Sequence, residues 1–142
     1  MKTLEDHINL DLTSWFVTNN LKYKTANIKT EKGLLIIIFN EDYCVKIYDK
    51  VGHGFGVNIN VADKYDESIY DNDSFALTWA FEYFNIIETA SFRSRSESQY
   101  LKNLPNLITD LKNIIPRLTK MTQVEWNNMK EWISKSANKR FT

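Results

Sequence analysis

The chain has 142 residues, of which 43% are hydrophobic and 25% charged, and this length fits a single domain over residues 1–142. Four glycines and two prolines are too few for long disordered stretches, and the single cysteine, Cys44, excludes an intramolecular disulfide and a cysteine-rich zinc site. The longest apolar run, residues 34–39, is too short to span a bilayer, and the N-terminus lacks signal-peptide features. We therefore expect a cytoplasmic protein with no membrane partner.

The net charge is zero, but the charges are unevenly distributed. Residues 1–100 contain 10 basic and 15 acidic residues, whereas residues 101–142 contain 8 basic and 3 acidic residues. The acidity is concentrated in residues 41–73, where eight acids face three lysines. A nucleic-acid binder normally shows a dominant basic field, so nucleic acid is not the expected partner; the acidic region favours a basic protein partner instead.

The first half of the sequence predicts one helix followed by four strands. Thr3 can cap a helix over residues 3–18, in which Leu4, Ile8, Leu12, Trp15 and Phe16 share one face. Apolar runs and alternating patterns then predict strands over residues 21–30, 34–39, 43–49 and 57–62. Because the connections are short, we expect an antiparallel meander with one polar or partly open face.

The second half is helical in pattern. The segment FALTWAFEYFNII, residues 75–87, is apolar on nearly every side, which predicts a central helix wrapped by other elements and capped by Asp73 or Ser74. A polar connection, SFRSRSES, follows at residues 91–98. The apolar helix is therefore expected to hold the sheet and the other helices together.

Two further helices complete the expected fold. A regular apolar stripe from Tyr100 to Leu118 predicts a helix that Pro105 starts or kinks and Pro116 ends or bends. Thr122 and Glu125 have the spacing of a capping box for the last helix. Strands and helices in separate blocks indicate the α+β class: an N-terminal helix, a four-stranded antiparallel meander, and then three helices packed on the sheet.

The acidic segment DKYDESIYDND, residues 63–73, is the main candidate for function. Aromatic side chains among charges are typical of protein interfaces, so we interpret this segment as a docking surface for a basic partner. A solvated segment that caps the next helix and a cation site are the alternatives, although the EF-hand order of ligands is absent. The candidate partner-binding residues are Asp63, Tyr65, Asp66, Glu67, Tyr70 and Asp71.

A second candidate is a small pocket near His53 and Glu82. His53 lies in the glycine-rich run VGHGFG, which matches neither a P-loop nor a dinucleotide fingerprint and is typical of a hairpin loop. Glu82 shares a narrow polar stripe with Thr78 and Asn85; if the stripe faces a pocket, Glu82 can act as an acid or base, and if it faces solvent it has no function. We identify no catalytic residue, no metal ligand set and no cofactor motif.

The segments VGHGFGVNINV (51–61) and DNDSFALTWAFEYFN (71–85) resemble small bacterial immunity proteins of polymorphic-toxin and contact-inhibition systems. This resemblance implies a non-enzymatic cytoplasmic protein that neutralises a cognate toxin by covering its active surface. Acidic complementarity to the toxin would speed association and set specificity. The alternative function is a small-ligand-binding or hydrolytic domain that uses the pocket near His53 and Glu82.

Overall fold

The computed structural model describes residues 3–27, 34–41, 43–49, 55–65, 74–90, 93–94 and 96–141. Within these ranges an antiparallel sheet carries helices on one face, and the predicted α+β class is confirmed. The strands are β1 (Lys22–Asn27), β2 (Leu34–Phe39), β3 (Cys44–Asp49), β4 (Phe55–Ala62), β5 (Phe75–Ala76) and β6 (Arg93–Ser94). The helices are α1 (residues 4–18), α2 (Leu77–Phe84), α3 (Glu97–Thr119) and α4 (Gln123–Phe141).

Helix α1 begins at the predicted cap. The Thr3 hydroxyl accepts from the Asp6 backbone N–H, and the Asp6 carboxylate accepts from the Thr3 N–H. The helix is α-helical over Leu4–His7, π-helical over Ile8–Leu12 and α-helical again over Thr13–Thr18. Its buried side chains are spaced by four residues, a spacing that drifts around an α-helix of 3.6 residues per turn. The wider π turn offsets this drift and keeps them on one face. They are Leu4, Ile8, Leu12 and Phe16.

The four-stranded meander is confirmed. Strands β1 to β4 pair in chain order, and the register places Lys22, Phe39, Cys44 and Ala62 in one row across the sheet. Two short strands that sequence patterns did not predict add to the outer edge of β4. Strand β5 pairs with Asn60 and Val61, and β6 pairs with Phe55 and Gly56.

Alternation along the strands divides the sheet into two faces. The face toward the helices carries Ile36, Ile38, Val45, Ile47, Ile59 and Val61. The opposite face, called here the second face, carries Leu35, Ile37, Cys44, Lys46 and Tyr48. These side chains are also buried, whereas Lys22 and Lys24 of β1, which the register places on the same face, are exposed, so this face is partly open, as expected. The unbroken apolar run of β2 is typical of a strand covered on both faces.

The prediction of one apolar helix over residues 75–87 is wrong in its extent. Its first two residues form β5, and α2 ends at Asn85, whose φ of 57° lies in the left-handed region that Asn tolerates. Ala76 precedes the helix without a side-chain cap, so Ser74 does not cap it, and Asp73 lies outside the described residues. Ile87 is 85% exposed, so the segment is not wrapped on all sides, and α3 contributes more buried side chains to the core from one of its faces.

Helix α3 is the longest helix and packs along the sheet. It begins earlier than predicted, where the Ser96 hydroxyl accepts from the Gln99 N–H, and it continues through Pro105 and Pro116 to Thr119. Pro116 therefore does not end it. Its buried side chains form the centre of the core: Leu104, Leu107, Ile108, Asp110, Leu111, Ile114, Ile115 and Leu118.

Helix α4 begins after the predicted cap residue, Thr122. The Thr122 hydroxyl accepts from the Glu125 backbone N–H at 3.2 Å. Trp126 packs on Tyr43 and Phe75, with ring centroids 5.9 and 6.3 Å away, and so joins α4 to β3 and β5. No helix in the described part of the chain is long and apolar enough to cross a membrane.

Candidate binding site

The first three residues of the acidic segment, residues 63–65, turn back from β4 across the second face of the sheet. The Cys44 thiol donates to the Lys64 carbonyl at 3.2 Å, and the Tyr65 ring lies on Phe39 with centroids 4.8 Å apart. Cys44 and Phe39 are neighbours in the row that runs from β4 to β1. The chain therefore retraces this row, and the acidic segment reaches the β1 side of the sheet at Tyr65.

Asp63 anchors this crossing to the helices. Its carboxylate accepts from Lys130 Nζ at 2.6 Å and from Gln123 Nε2 at 3.1 Å, both on α4. Burial works against the ionised form, but the hydrogen bonds from Lys130 and Gln123 and the ammonium charge outweigh it, so the pKa of Asp63 lies below its usual value. The Asp63 side chain is 12% exposed and its charge is neutralised within the fold. It therefore holds the segment in place.

Tyr65 is fixed on one side and open on the other. Phe39 packs against its ring, and Lys24 Nζ lies 5.8 Å from the ring centroid, which is within cation–π range. The residue is nevertheless 40% exposed. An aromatic side chain held in place but still open to solvent loses little conformational entropy when a partner covers it.

A groove of about 410 Å³ opens beside Tyr65. It lies where the end of α1 meets the ends of β1 and β2, because Asn20 follows α1 and Lys22 pairs with Phe39 in the sheet. Its walls combine two aromatic rings, two amides, one ammonium and one carboxylate. The lining residues are Asn20, Lys22, Phe39, Asn40, Glu41 and Tyr65.

The groove carries charges of both signs. Glu41 is the one carboxylate among the described lining residues, and Lys22 also lines the groove, with Lys24 beside Tyr65. The described part of the site is therefore mixed in charge rather than acidic. The acidic candidates Asp66, Glu67, Tyr70 and Asp71 lie outside the described residues, so their place in a docking surface stays a prediction.

Only one of the two residues of the second candidate pocket, Glu82, lies in the described part of the chain. Glu82 is exposed on α2, in agreement with the solvent-facing interpretation of its stripe, and it does not line the groove. His53 lies outside the described residues. Whether His53 and Glu82 lie near one pocket therefore stays a prediction.

Sequence analysis missed the groove itself. Lys22 and Phe39 were assigned to strands, and Asn20, Asn40 and Glu41 to the turns that end elements. The available signal was the clustering of polar residues at the ends of neighbouring antiparallel elements. These polar residues form a groove only because residues 63–65 fold back over the sheet and place Tyr65 next to them, which the sequence alone does not show.

A row of aromatic side chains lies on the helix side of the molecule, where sequence analysis assigned them to the core. Trp132 on α4 contacts Trp79 and Tyr83 on α2, with ring centroids 6.4 and 5.4 Å away. Phe84 continues the row, and the Arg117 guanidinium lies 5.0 Å from its centroid. These side chains are partly exposed and join α2 to α3 and α4.

The chain matches no protein-family model, no curated protein and no solved structure.

Proposed function

We propose that this chain is a non-enzymatic protein-binding module of the immunity type, which acts in the cytoplasm and neutralises a basic toxin through the acidic segment that begins at Asp63. The observation that carries the proposal is the anchoring of residues 63–65. Asp63 is tied to α4, Lys64 to Cys44 and Tyr65 to Phe39, while Tyr65 remains 40% exposed. A fixed and exposed aromatic side chain is typical of an interface anchor, and the acids that follow it suit the polar rim around such an anchor.

The anchoring favours binding for an energetic reason. Each side chain immobilised on binding costs about 0.5–1.5 kcal/mol, and a segment that is already held at one end avoids part of that cost. Tyr65 can therefore serve as a preformed contact from which the acidic residues that follow engage the partner. Since Asp63 is neutralised by Lys130, the charge that steers a basic partner comes from Asp66, Glu67 and Asp71.

Site-specific photocrosslinking in the native host tests the docking surface. A photoreactive phenylalanine analogue replaces Tyr65 in one variant and Val17 in a matched control; Val17 is 77% exposed on α1. We expect one protein to be crosslinked at position 65 and not at position 17. Equal crosslinking at both positions, or none at position 65, would contradict the proposed surface.

The identity of the crosslinked protein tests the immunity activity. Expressed alone, it is expected to arrest growth, and co-expression with the wild-type chain is expected to restore growth. The triple variant Asp66→Asn, Glu67→Gln, Asp71→Asn removes the steering charges and is expected to slow association by at least tenfold at low salt, with a smaller effect at high salt. A partner that is harmless on its own would leave a binding module but would rule out the immunity function.

A further inference from the structure

The groove beside Tyr65 has a chemistry of its own, distinct from protein docking. Lys22 and Glu41 are both exposed, and among the described residues neither forms an ion pair or a side-chain hydrogen bond. The Asn20 amide is likewise exposed and available to a ligand. A cation and a carboxylate in one groove are complementary to a ligand that carries both charges.

The aromatic wall adds a second requirement. Phe39 and Tyr65 form a tilted pair, and both line the groove alongside the charged groups. An apolar or planar group gains contact area on these rings, whereas a wholly polar ligand leaves them wet. The volume of about 410 Å³ is at the lower end of the range typical of small-molecule sites.

We propose that this groove binds a free α-amino acid with an aromatic or large apolar side chain. Lys22 and the Asn20 amide would hold the α-carboxylate, Glu41 would accept from the α-ammonium, and the side chain would pack on Phe39 and Tyr65. In a longer peptide the two terminal charges are several residues apart, so the paired charges within one groove favour the single amino acid.

Each of the two ligand charges should form a charge-assisted hydrogen bond. Because the groove is open to solvent, each such bond contributes little, and the expected Kd is on the order of millimolar. The probe is L-phenylalanine, titrated into the full-length chain while backbone amide shifts are recorded by NMR. We expect saturable shifts at Glu41 and Tyr65. N-acetyl-L-phenylalanine, which lacks the ammonium, and L-phenylalaninamide, which lacks the carboxylate, are each expected to bind roughly tenfold more weakly.

Variants assign the two charges separately. Lys22→Met should lower the affinity for L-phenylalanine to that of L-phenylalaninamide for the wild type, and Glu41→Gln should lower it to that of the N-acetyl derivative. Both positions are exposed, and an unchanged spectrum elsewhere in the chain verifies folding. L-alanine, which lacks the ring, should bind more weakly than L-phenylalanine.

The absence of saturable shifts, or equal affinity for blocked and free forms, would overturn this inference. Neither result would affect the proposed protein-binding function, which is tested by crosslinking at position 65. Conversely, failure to crosslink a partner would leave the amino-acid titration unchanged. The two proposals can therefore fail independently.

Discussion

Asp110, which is fully buried on α3, holds Thr89 in the segment that follows α2. Its carboxylate accepts from the Thr89 backbone N–H at 2.9 and 3.1 Å, from the Thr89 hydroxyl at 2.7 Å and from the Ala90 N–H at 2.9 Å. A buried carboxylate is costly unless donors of this kind surround it. Asp110 therefore fixes the path of residues 85–90 against the long helix.

Replacing Asp110 by alanine should destabilise the fold by about 2 kcal/mol, because its charge-assisted hydrogen bonds to the Thr89 and Ala90 donors are lost. Thr89→Val keeps the shape but removes the hydroxyl, and should cost about 1 kcal/mol. Urea denaturation gives both free energies of unfolding. Asn113→Ala, at an exposed position on the same helix, is the control and should change stability by less than about 0.5 kcal/mol. A similar loss of stability in all three variants would contradict the proposed role of the Asp110 hydrogen bonds.

The Asp63–Lys130 pair should make stability depend on acid pH. Because the pKa of Asp63 is lowered in the fold, the stabilisation is present above the unfolded pKa and is lost as pH falls through the folded value. Lys130→Met should cost about 1 kcal/mol at pH 7 and less at pH 2.5, since protonation of Asp63 progressively removes the pair as pH falls. Thermal unfolding at the two pH values measures this difference.

Lys135→Met provides the matched control for that pair. Lys135 lies 2.9 Å from Glu131 on the exposed side of α4, where solvent screens the interaction. No measurable change in stability is expected for this variant at either pH. A pH-independent loss in Lys130→Met would mean that lost packing, rather than charge, causes the effect.

Glu88 should make stability depend on pH in the opposite sense to Asp63, because its pKa is raised in the fold. Burial raises the pKa of its carboxyl, the nearby Asp110 and Glu82 carboxylates raise it further, and a hydrogen bond from Thr78 partly offsets them. The folded chain then binds the proton more tightly than the unfolded chain, so stability is lost as pH rises from about 4.5 through the folded pKa.

Glu88→Gln keeps an acceptor for Thr78 and removes this penalty. The variant should be more stable than the wild type at pH 7 and equal to it at pH 3.5, as measured by urea denaturation. Glu41→Gln, at an exposed position without a recorded partner among the described residues, should leave stability unchanged at both pH values. A Glu88→Gln variant that is less stable at pH 7 would contradict the raised pKa.

Local patterns were sufficient to predict most elements of the fold. The spacing of Leu4, Ile8 and Leu12 gave the first helix, and the alternation in residues 43–49 and 57–62 gave two neighbouring strands. Residues 75–87 were misassigned because a continuous apolar run has no period that separates strand from helix. Asn85 ends the helix through its backbone conformation, which composition does not reveal.

The candidate site was less predictable because its geometry depends on contacts between distant residues. Tyr65 and the acidic residues stood out in the sequence, but Phe39 and Cys44, which position residues 63–65, appeared as ordinary strand residues. Asp63 was predicted to contact a partner, and its engagement with Lys130, far away in sequence, could not be inferred from local charge. The role of Asp110 could not be predicted either, because in sequence it is a polar residue next to the apolar stripe of α3, and its partners Thr89 and Ala90 lie about 20 residues away.

Tyr43, which is 1% exposed, lies just before β3, and its hydroxyl is 2.7 Å from the Thr119 hydroxyl. Thr119 donates its own proton to the Ile115 carbonyl, so Tyr43 is the donor in this pair. Burial raises the pKa of Tyr43 to about 12, although the hydrogen bond with Thr119 offsets part of the effect. Tyr43→Phe should therefore cost about 1 kcal/mol at pH 8.

The same substitution should reverse its effect in alkali. Above pH 10 the unfolded chain loses the Tyr43 proton while the folded chain keeps it, so the wild type loses stability at up to about 1.4 kcal/mol per pH unit from this residue. The advantage of the wild type over Tyr43→Phe should vanish near pH ~11. Urea denaturation from pH 8 to 11.5 measures it, with Tyr65→Phe, at an exposed position, as the control for removal of one phenol. A constant difference between wild type and Tyr43→Phe over this range would show that the Tyr43 hydroxyl ionises equally readily in the folded and unfolded chains.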